Sequence, residues 1–279
     1  MRILPRMAKG FHRKVIFPFL SILLPADCFV CGLPLGPVHL LGACLGCWGG
    51  LSPIRPPICG TCGAPLPRGT NLLGPAGGRC APCLLRPSTL DGVRAGVIYD
   101  PVARRFVLRA KFGRRRELLQ LMGDHLGRLL AASNFGEECT VVVPVPSHPW
   151  ILLRRGFNPA LEIARPVARS LRLPLRAGAL GRRIRRAASV KGLRASRRRR
   201  ALEGAFRPLR SAVGERILLV DDVYTTGATA EACGHSLRVA GAETVRLIVW
   251  ARTPRLRATP SSTYMDDPRP CPKYAKRNP

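Results

Sequence analysis

From about Leu90 the apolar residues alternate between two textures. Val93–Tyr99 is a short run of strand type. Asp100-Pro101 then supplies an N-cap and first-turn proline for a helix with Val102, Phe106, Val107 and Ala110 on one face. Thr140-Val-Val-Val-Pro-Val-Pro146 predicts a short buried strand stopped by prolines. Asn158-Pro159 predicts a second helix start, running to about Leu171 with Leu161, Ile163, Ala164, Val167 and Ala168 as its apolar positions. Ile217–Val220 predicts a strand, Gly227–Ala240 a helix and Thr244–Trp250 a final strand. Strands alternating with helices predict an α/β sheet. After Arg252 the chain turns rich in proline, serine and charge, which predicts a loose tail.

The first 90 residues read differently. Arg2, Arg6, Lys9, Arg13 and Lys14 precede the apolar run Val15–Leu24, which Pro18 interrupts. The run is too short to span a bilayer, and no small-x-small cleavage site follows it. A short amphipathic helix packed on the next module is expected there rather than an export signal. No other segment reaches about 18 apolar residues without a charge, so a soluble protein is expected. The 279 residues, 46% of them hydrophobic, suffice for two domains and exclude global disorder. Forty-six Lys and Arg against 16 Asp and Glu leave a formal net charge of +30. That field attracts polyanions: nucleic acid, nucleotides, phosphorylated sugars or an anionic membrane.

Eight of the 11 cysteines form four Cys-x-x-Cys pairs: Cys28/Cys31, Cys44/Cys47, Cys59/Cys62 and Cys80/Cys83. Two intervening residues let both sulfurs of a pair reach one metal from a tight turn, and two pairs complete a tetrahedral site. Cys28-Phe-Val-Cys-Gly-Leu-Pro-Leu recurs 31 residues on as Cys59-Gly-Thr-Cys-Gly-Ala-Pro-Leu, each copy followed by a plainer pair. The repeat predicts two tandem structural zinc ribbons with no open coordination position. A disulfide framework, iron–sulfur clusters and an interleaved pairing of the first pair with the third are the alternatives. Zinc thiolates need reducing surroundings, so a cytoplasmic location is expected. Cys139, Cys233 and Cys271 have no such partners and read as small core or tail residues.

The segment Ile217-Leu-Leu-Val-Asp221-Asp222-Val-Tyr-Thr225-Thr226-Gly227-Ala228-Thr229 carries the most chemistry. An apolar strand ends in two acids, and a hydroxyl-rich loop then opens a helix. Helix N-terminal amides and threonine hydroxyls can wrap a phosphate, and Gly227 allows close approach. The acids would repel that phosphate unless they face ribose hydroxyls or a magnesium ion. Phosphate, diol and magnesium together describe phosphoribosyl pyrophosphate.

This segment resembles the thirteen-residue binding motif of type I phosphoribosyltransferases. With the paired ribbons, the chain resembles the ComF/GntX family of competence-associated phosphoribosyltransferase-like proteins over roughly residues 28–252. Ala110-Lys111-Phe112-Gly113-Arg114-Arg115, Val143-Pro-Val-Pro146 and Arg154-Arg155-Gly156-Phe157-Asn158 share in the likeness. Val190, Ser196 and Ala201 depart from it, standing where Gln, Arg and Asn are common. The resemblance implies a type I phosphoribosyltransferase-like parallel sheet with helices on both faces, preceded by a double zinc ribbon. The expected organisation is a basic segment over 1–26, ribbons over 27–88, the phosphoribosyltransferase-like domain over 89–252 and a tail over 253–279. It also implies that Asp221 and Asp222 hold the ribose hydroxyls and that Thr225, Thr226, Gly227, Ala228 and Thr229 bind the 5′-phosphate. Pro144 and Val145, with Arg154 and Arg155, would serve the pyrophosphate. Thr225 occupies the place of an acid in purine-salvage relatives, which points away from a 6-oxopurine acceptor.

Three functions follow from these residues together with the resemblance, which alone supplies the link to DNA uptake. One is a ribose-phosphate binding protein, using magnesium, in DNA uptake. Another is a non-catalytic module that holds single-stranded DNA on its arginines: Arg114, Arg115 and Arg116, then Arg197, Arg198, Arg199 and Arg200 on a predicted helix. The third is a phosphoribosyltransferase of nucleotide metabolism with an unknown acceptor. Few aromatics lie between the arginines in sequence, so little base stacking is expected. The resemblance further implies a competence helicase as partner.

Overall fold

The computed structural model describes residues 27–35, 42–67, 78–183, 202 and 204–254. The predicted N-terminal helix, Arg197–Arg200, Val190, Ser196, Ala201 and positions 255–279 of the tail lie outside the described residues. The chain divides into two compact units, with the break between Gly50 and Leu51.

In the first unit, Cys28 and Cys31 sit on a tight knuckle. The Cys28 amide donates to Leu33 O at 2.7 Å, and Gly32 at φ +70° donates to Cys28 O at 2.8 Å. Helix α1, Leu45–Gly49, carries the second pair, with Cys44 as its N-cap.

The second unit begins with the same knuckle, where Cys59 donates to Ala64 O at 2.7 Å and Gly63 to Cys59 O at 2.8 Å. The short helix α2, Ala81–Leu84, follows its N-cap Cys80. This ribbon lies against strand β1, Gly92–Ile98. A Cβ added to Gly63 would stand 2.4 Å from Val93 O, so only glycine permits that approach. Pro53 bridges Val97, and Ile98 donates to Ser52 O at 2.8 Å.

Asp100 caps helix α3, Pro101–Phe112, by accepting from the Ala103 amide at 2.8 Å. Helix α4, Arg116–Ala131, leads to strand β2, Val141–Pro144. The short helix α5, Pro149–Arg155, and helix α6, Pro159–Leu171, come next, the latter capped by Asn158. An antiparallel ribbon of β3, Leu180–Arg182, and β4, Phe206–Pro208, precedes β5, Arg216–Tyr224. Helix α7, Ala228–Val239, and strand β6, Thr244–Arg252, complete the unit.

The four long strands form one parallel sheet in the order β1-β6-β5-β2. Side chains alternate across a strand, so each strand must be covered on both sides. Val141, Val143, Ile217, Leu219, Val245, Leu247 and Val249 share one core with Ala230, Cys233 and Leu237 of α7. Val142, Leu218, Val220, Ile248 and Trp250 alternate with them and are also buried, with Trp250 stacked at a tilt on Phe106 of α3, centroids 5.4 Å apart. The expected parallel sheet with helices on both faces is the one observed. Strand β5 runs longer than the apolar stretch predicts, because β6 pairs with it as far as Tyr224↔Arg252. The two acids therefore lie inside a strand, beyond the reach of the shorter β2. Among the described residues no helix is long and apolar enough to cross a membrane.

Candidate functional site

The cysteines gather as tandem sets. The sulfurs of Cys28, Cys31, Cys44 and Cys47 lie within 4.8 Å of one another, and so do those of Cys59, Cys62, Cys80 and Cys83. Sulfur pairs stand 3.9 Å (Cys28–Cys47), 3.8 Å (Cys31–Cys44) and 3.7 Å (Cys62–Cys80) apart. A tetrahedron with Zn–S bonds of about 2.3 Å has edges of about 3.8 Å. A disulfide would need about 2.05 Å. Backbone amides already point at the sulfurs: Cys44 to Cys28 Sγ at 3.3 Å and Cys80 to Cys59 Sγ at 3.4 Å. The thiol of Cys47, with the amides of Cys31 and Cys44, draws Cys28 down to about 4. Burial pushes Cys59 up, yet the amides of Cys62, Cys80 and Thr61 carry it down to about 6. Both sets fit one structural Zn2+ each, and neither pairs the first knuckle with the third.

The second constellation stands at the carboxyl ends of β2 and β5. Asp222 is buried, at 7% exposure, and forms an ion pair with Lys111 Nζ near the end of α3. Asp221 holds the Asp222 amide with its own Oδ1 at 2.9 Å. Burial, then the neighbouring Asp222 charge, raises Asp221 to about 7, against the pull of Lys111 and Arg182. Arg155 feels the charge of Asp222, although burial dominates and lowers its pKa. The acids thus sit among three cations, of which only Arg155 was expected. Arg154 is exposed, and its carbonyl accepts from Arg114 at 3.5 Å. Sequence reasoning missed the roles of Lys111 and Arg182. Lys111 belongs to the Ala-Lys-Phe-Gly block already singled out, but its partner lies 111 residues away.

One turn further, Gly227 begins α7 in the left-handed region at φ +78°. A Cβ there would lie 2.3 Å from Tyr224 Oη. Among the described residues, no backbone carbonyl accepts from the amides of Thr225, Thr226, Gly227, Ala228 or Thr229. The Ala228 amide reaches only Thr226 Oγ1, at 3.4 Å. The bend is held from behind, where Thr253 donates its amide to Tyr224 O at 3.0 Å and its hydroxyl to Thr225 O at 3.3 Å. Helix-start amides left open in this way form an anion site.

The Pro144-Val145 turn lies beside Val220, the residue before the two acids. Pro144 pairs with Val220 across the strands, and the Val145 amide donates to Val220 O at 2.9 Å. Asn158 Nδ2 donates to Val145 O at 3.0 Å, while its Oδ1 receives Ser147 Oγ–H and the Ala160 amide.

The two nearer basic blocks also meet. Arg116 donates to Gly156 O at 2.9 Å and stacks over Phe157 at 5.2 Å; Arg155 stacks over Phe112 at 5.5 Å. Phe112, at 69% exposure, and Trp150, at 68%, stand in solvent on this surface. Phe112 and Phe157 thus pack with arginines of these blocks, and Trp150 is exposed on α5, the helix that carries Arg154 and Arg155.

Known proteins resemble this chain in sequence along most of its length. Residues 19–84 match the double zinc ribbon domain. The DNA utilization protein YhgH of Salmonella typhi is 31% identical over 236 residues, covering 82% of this chain and 98% of its own length. The chain belongs to the ComF/GntX family. A second member, YhgH of Escherichia coli O157:H7, is 30% identical over 237 residues with the same coverage. Competence protein F of Haemophilus influenzae is 29% identical over 225 residues, covering 77% of this chain and 92% of its own. Among solved structures, a glutamine phosphoribosylpyrophosphate amidotransferase from B. subtilis matches at 22% identity and a TM-score of 0.34. It is covered for 26% of its length against 47% of this chain. This ComF/GntX member thus carries a double zinc ribbon ahead of a parallel α/β sheet.

Proposed function

We propose that the α/β unit binds phosphoribosyl pyrophosphate, or a related ribose phosphate, with Mg2+, in the service of DNA uptake. One observation carries this: the buried acid Asp222 and its neighbour Asp221 stand one turn from a bend whose amides no carbonyl among the described residues takes up. The amides and hydroxyls of Thr225–Thr229 receive the 5′-phosphate, and Asp221 and Asp222 receive the ribose hydroxyls. The Pro144-Val145 turn would take the pyrophosphate, with Lys111, Arg155 and Arg182 to neutralise it. Two adjacent carboxylates suit a ligand-borne Mg2+, an ion commonly held by one or two carboxylates plus substrate phosphates. When bound, that ion withdraws charge from the leaving group. In pentosyl transfer the C1′–O bond breaks with its electron pair on pyrophosphate, and the acceptor bonds to C1′. The acids then face the positive charge that develops on the ribosyl ring. Reducing conditions needed by the thiolates support a cytoplasmic protein, and a competence helicase is the partner that the family suggests.

Equilibrium dialysis with labelled phosphoribosyl pyrophosphate and Mg2+ tests this site. The Asp221→Asn/Asp222→Asn double variant is expected to lose binding at least tenfold; binding equal to that of the parent protein contradicts the assignment.

The joined arginine blocks favour a second role beside the first, in which single-stranded DNA lies along Arg114, Arg115, Arg116, Arg154 and Arg155. Exposed Phe112 and Trp150 offer faces for bases. In that role the double Asn variant keeps its DNA affinity.

A further inference from the structure

Arg252 ends β6 and is fully buried, at 0% exposure. Its backbone is pinned between Ile98 of β1 and Tyr224 of β5, and its carbonyl accepts from the Tyr99 amide at 2.7 Å. Its guanidinium leaves the sheet and enters the second ribbon. Nη1 donates to the Cys62 carbonyl and lies 3.7 Å from Cys62 Sγ. Nε and Nη2 are buried with no hydrogen-bond partner, and among the described residues no carboxylate pairs with Arg252. A buried cation needs a counter-charge. The group beside it that can supply one is the cysteine cluster. Four thiolates around Zn2+ carry a net charge of −2. Arg94, which donates to Gly60 O at 3.2 Å between Cys59 and Cys62, adds a second positive charge on the same side. Two guanidiniums balance one tetrathiolate centre.

The other side of Arg252 faces the bend. Its guanidinium lies over the Tyr224 ring at 5.5 Å, and Tyr224 Oη fills the space beside Gly227. A continuous line of contacts therefore runs from Cys62 through Arg252 and Tyr224 to Gly227.

We propose that Arg252 supplies counter-charge to the second ribbon's metal centre and is, through Tyr224, a positioning residue for the Thr225–Thr229 bend. Metal held by Cys59, Cys62, Cys80 and Cys83 keeps the bend in shape. Without metal the ribbon loses its fold. Arg252 then loses both its acceptor and its counter-charge, and its move toward water withdraws the support beneath Tyr224. This coupling holds whatever ligand the bend takes.

Two measurements on the full-length zinc-loaded protein test it. In the first, a chromogenic chelator competes for zinc in parent protein, Arg252→Gln and Arg252→Lys, each also carrying Cys28→Ser so that the second ribbon alone is read. Arg252→Gln is expected to weaken that zinc about 10- to 100-fold, the range for residues that support metal ligands. Arg252→Lys, which keeps the charge, is expected to recover most of the loss. In the second, amide exchange is followed at the two amides that hold the bend, Thr253 on Tyr224 O and Glu231 on Gly227 O. Chelation of the second ribbon, or Cys59→Ser, is expected to raise exchange at Thr253 and Glu231 at least tenfold, whereas Cys28→Ser does not. Unchanged zinc affinity in Arg252→Gln, or a bend that exchanges equally in Cys59→Ser and Cys28→Ser, overturns the proposal. The parent protein under chelator supplies the exchange result even where an Arg252 variant fails to fold. No ligand enters either experiment, so failure here leaves the ribose-phosphate site standing.

Discussion

Lys111 closes its ammonium onto the buried carboxylate of Asp222, joining the end of α3 to the acidic end of β5. The site thus holds its own cation before any ligand arrives. Without Lys111, two neighbouring carboxyl groups would share a poorly hydrated stretch of β5 with no cation paired to Asp222, which is costly. Removing one partner of a buried pair leaves the other uncompensated. Lys111→Met is therefore expected to cost about 3 kcal/mol in urea unfolding and to push the Asp221 pKa still higher. An unchanged midpoint would show that the pair contributes nothing.

Asp221 sets a pH dependence. Its folded pKa, about 7, lies above the ordinary aspartate value of 3.8. The folded state therefore binds this proton more tightly than the unfolded chain does. The contribution is fully present below about pH 4 and is lost as pH rises toward 7. Between pH 6 and 8, where the ribbons stay metallated, stability is expected to fall with pH and then level off. Asp221→Asn should flatten that slope. Ligand affinity should run the other way, rising as the carboxyl ionises.

Gly227 gives the bend its shape. A left-handed non-glycine residue costs roughly 1–2 kcal/mol, and here its Cβ would also displace Tyr224. Gly227→Ala is expected to lower stability by at least that amount and to abolish phosphate-ligand binding. Thermal unfolding and dialysis, measured side by side, separate the two effects.

Much of this arrangement could be read from local spacing. The knuckles were legible because Cys-x-x-Cys-Gly fixes both a turn and a ligand pair within five residues. The helix starts at Asp100-Pro101 and Asn158-Pro159 were legible for the same reason, since a cap and its first turn are neighbours. Helix α4 was not identified, although Leu118, Leu119, Met122, Leu126 and Leu130 follow a helical period. Gly123 and Gly127 argue against a helix on propensity alone. Their purpose is tertiary: a Cβ at Gly123 would meet Ile163 O of α6 at 2.4 Å. The pairings Lys111–Asp222 and Arg252–Cys62 span 111 and 190 residues, and no local pattern encodes them.

The arginine–aromatic surface makes a salt-dependent prediction. Single-strand affinity should fall with salt at a log–log slope of about −0.7 per phosphate contact. Neutralising Arg114, Arg115 and Arg154 together should make the slope shallower by about 2, summing that value over three contacts. Trp150→Ala should leave the slope unchanged while costing roughly 1–3 kcal/mol for a lost base stack. Fluorescence anisotropy with a labelled oligonucleotide over a salt series reads both effects.

In the proposed role, a pentose phosphate is held between two acids and an amide-lined bend. Calorimetric titration of protein carrying two zinc ions with phosphoribosyl pyrophosphate and Mg2+ tests it most directly. One saturable site is predicted, weakened by omitting Mg2+ and absent in the Asp221→Asn/Asp222→Asn variant. Zinc-replete, cooperatively folding protein that gives no heat of binding would contradict it.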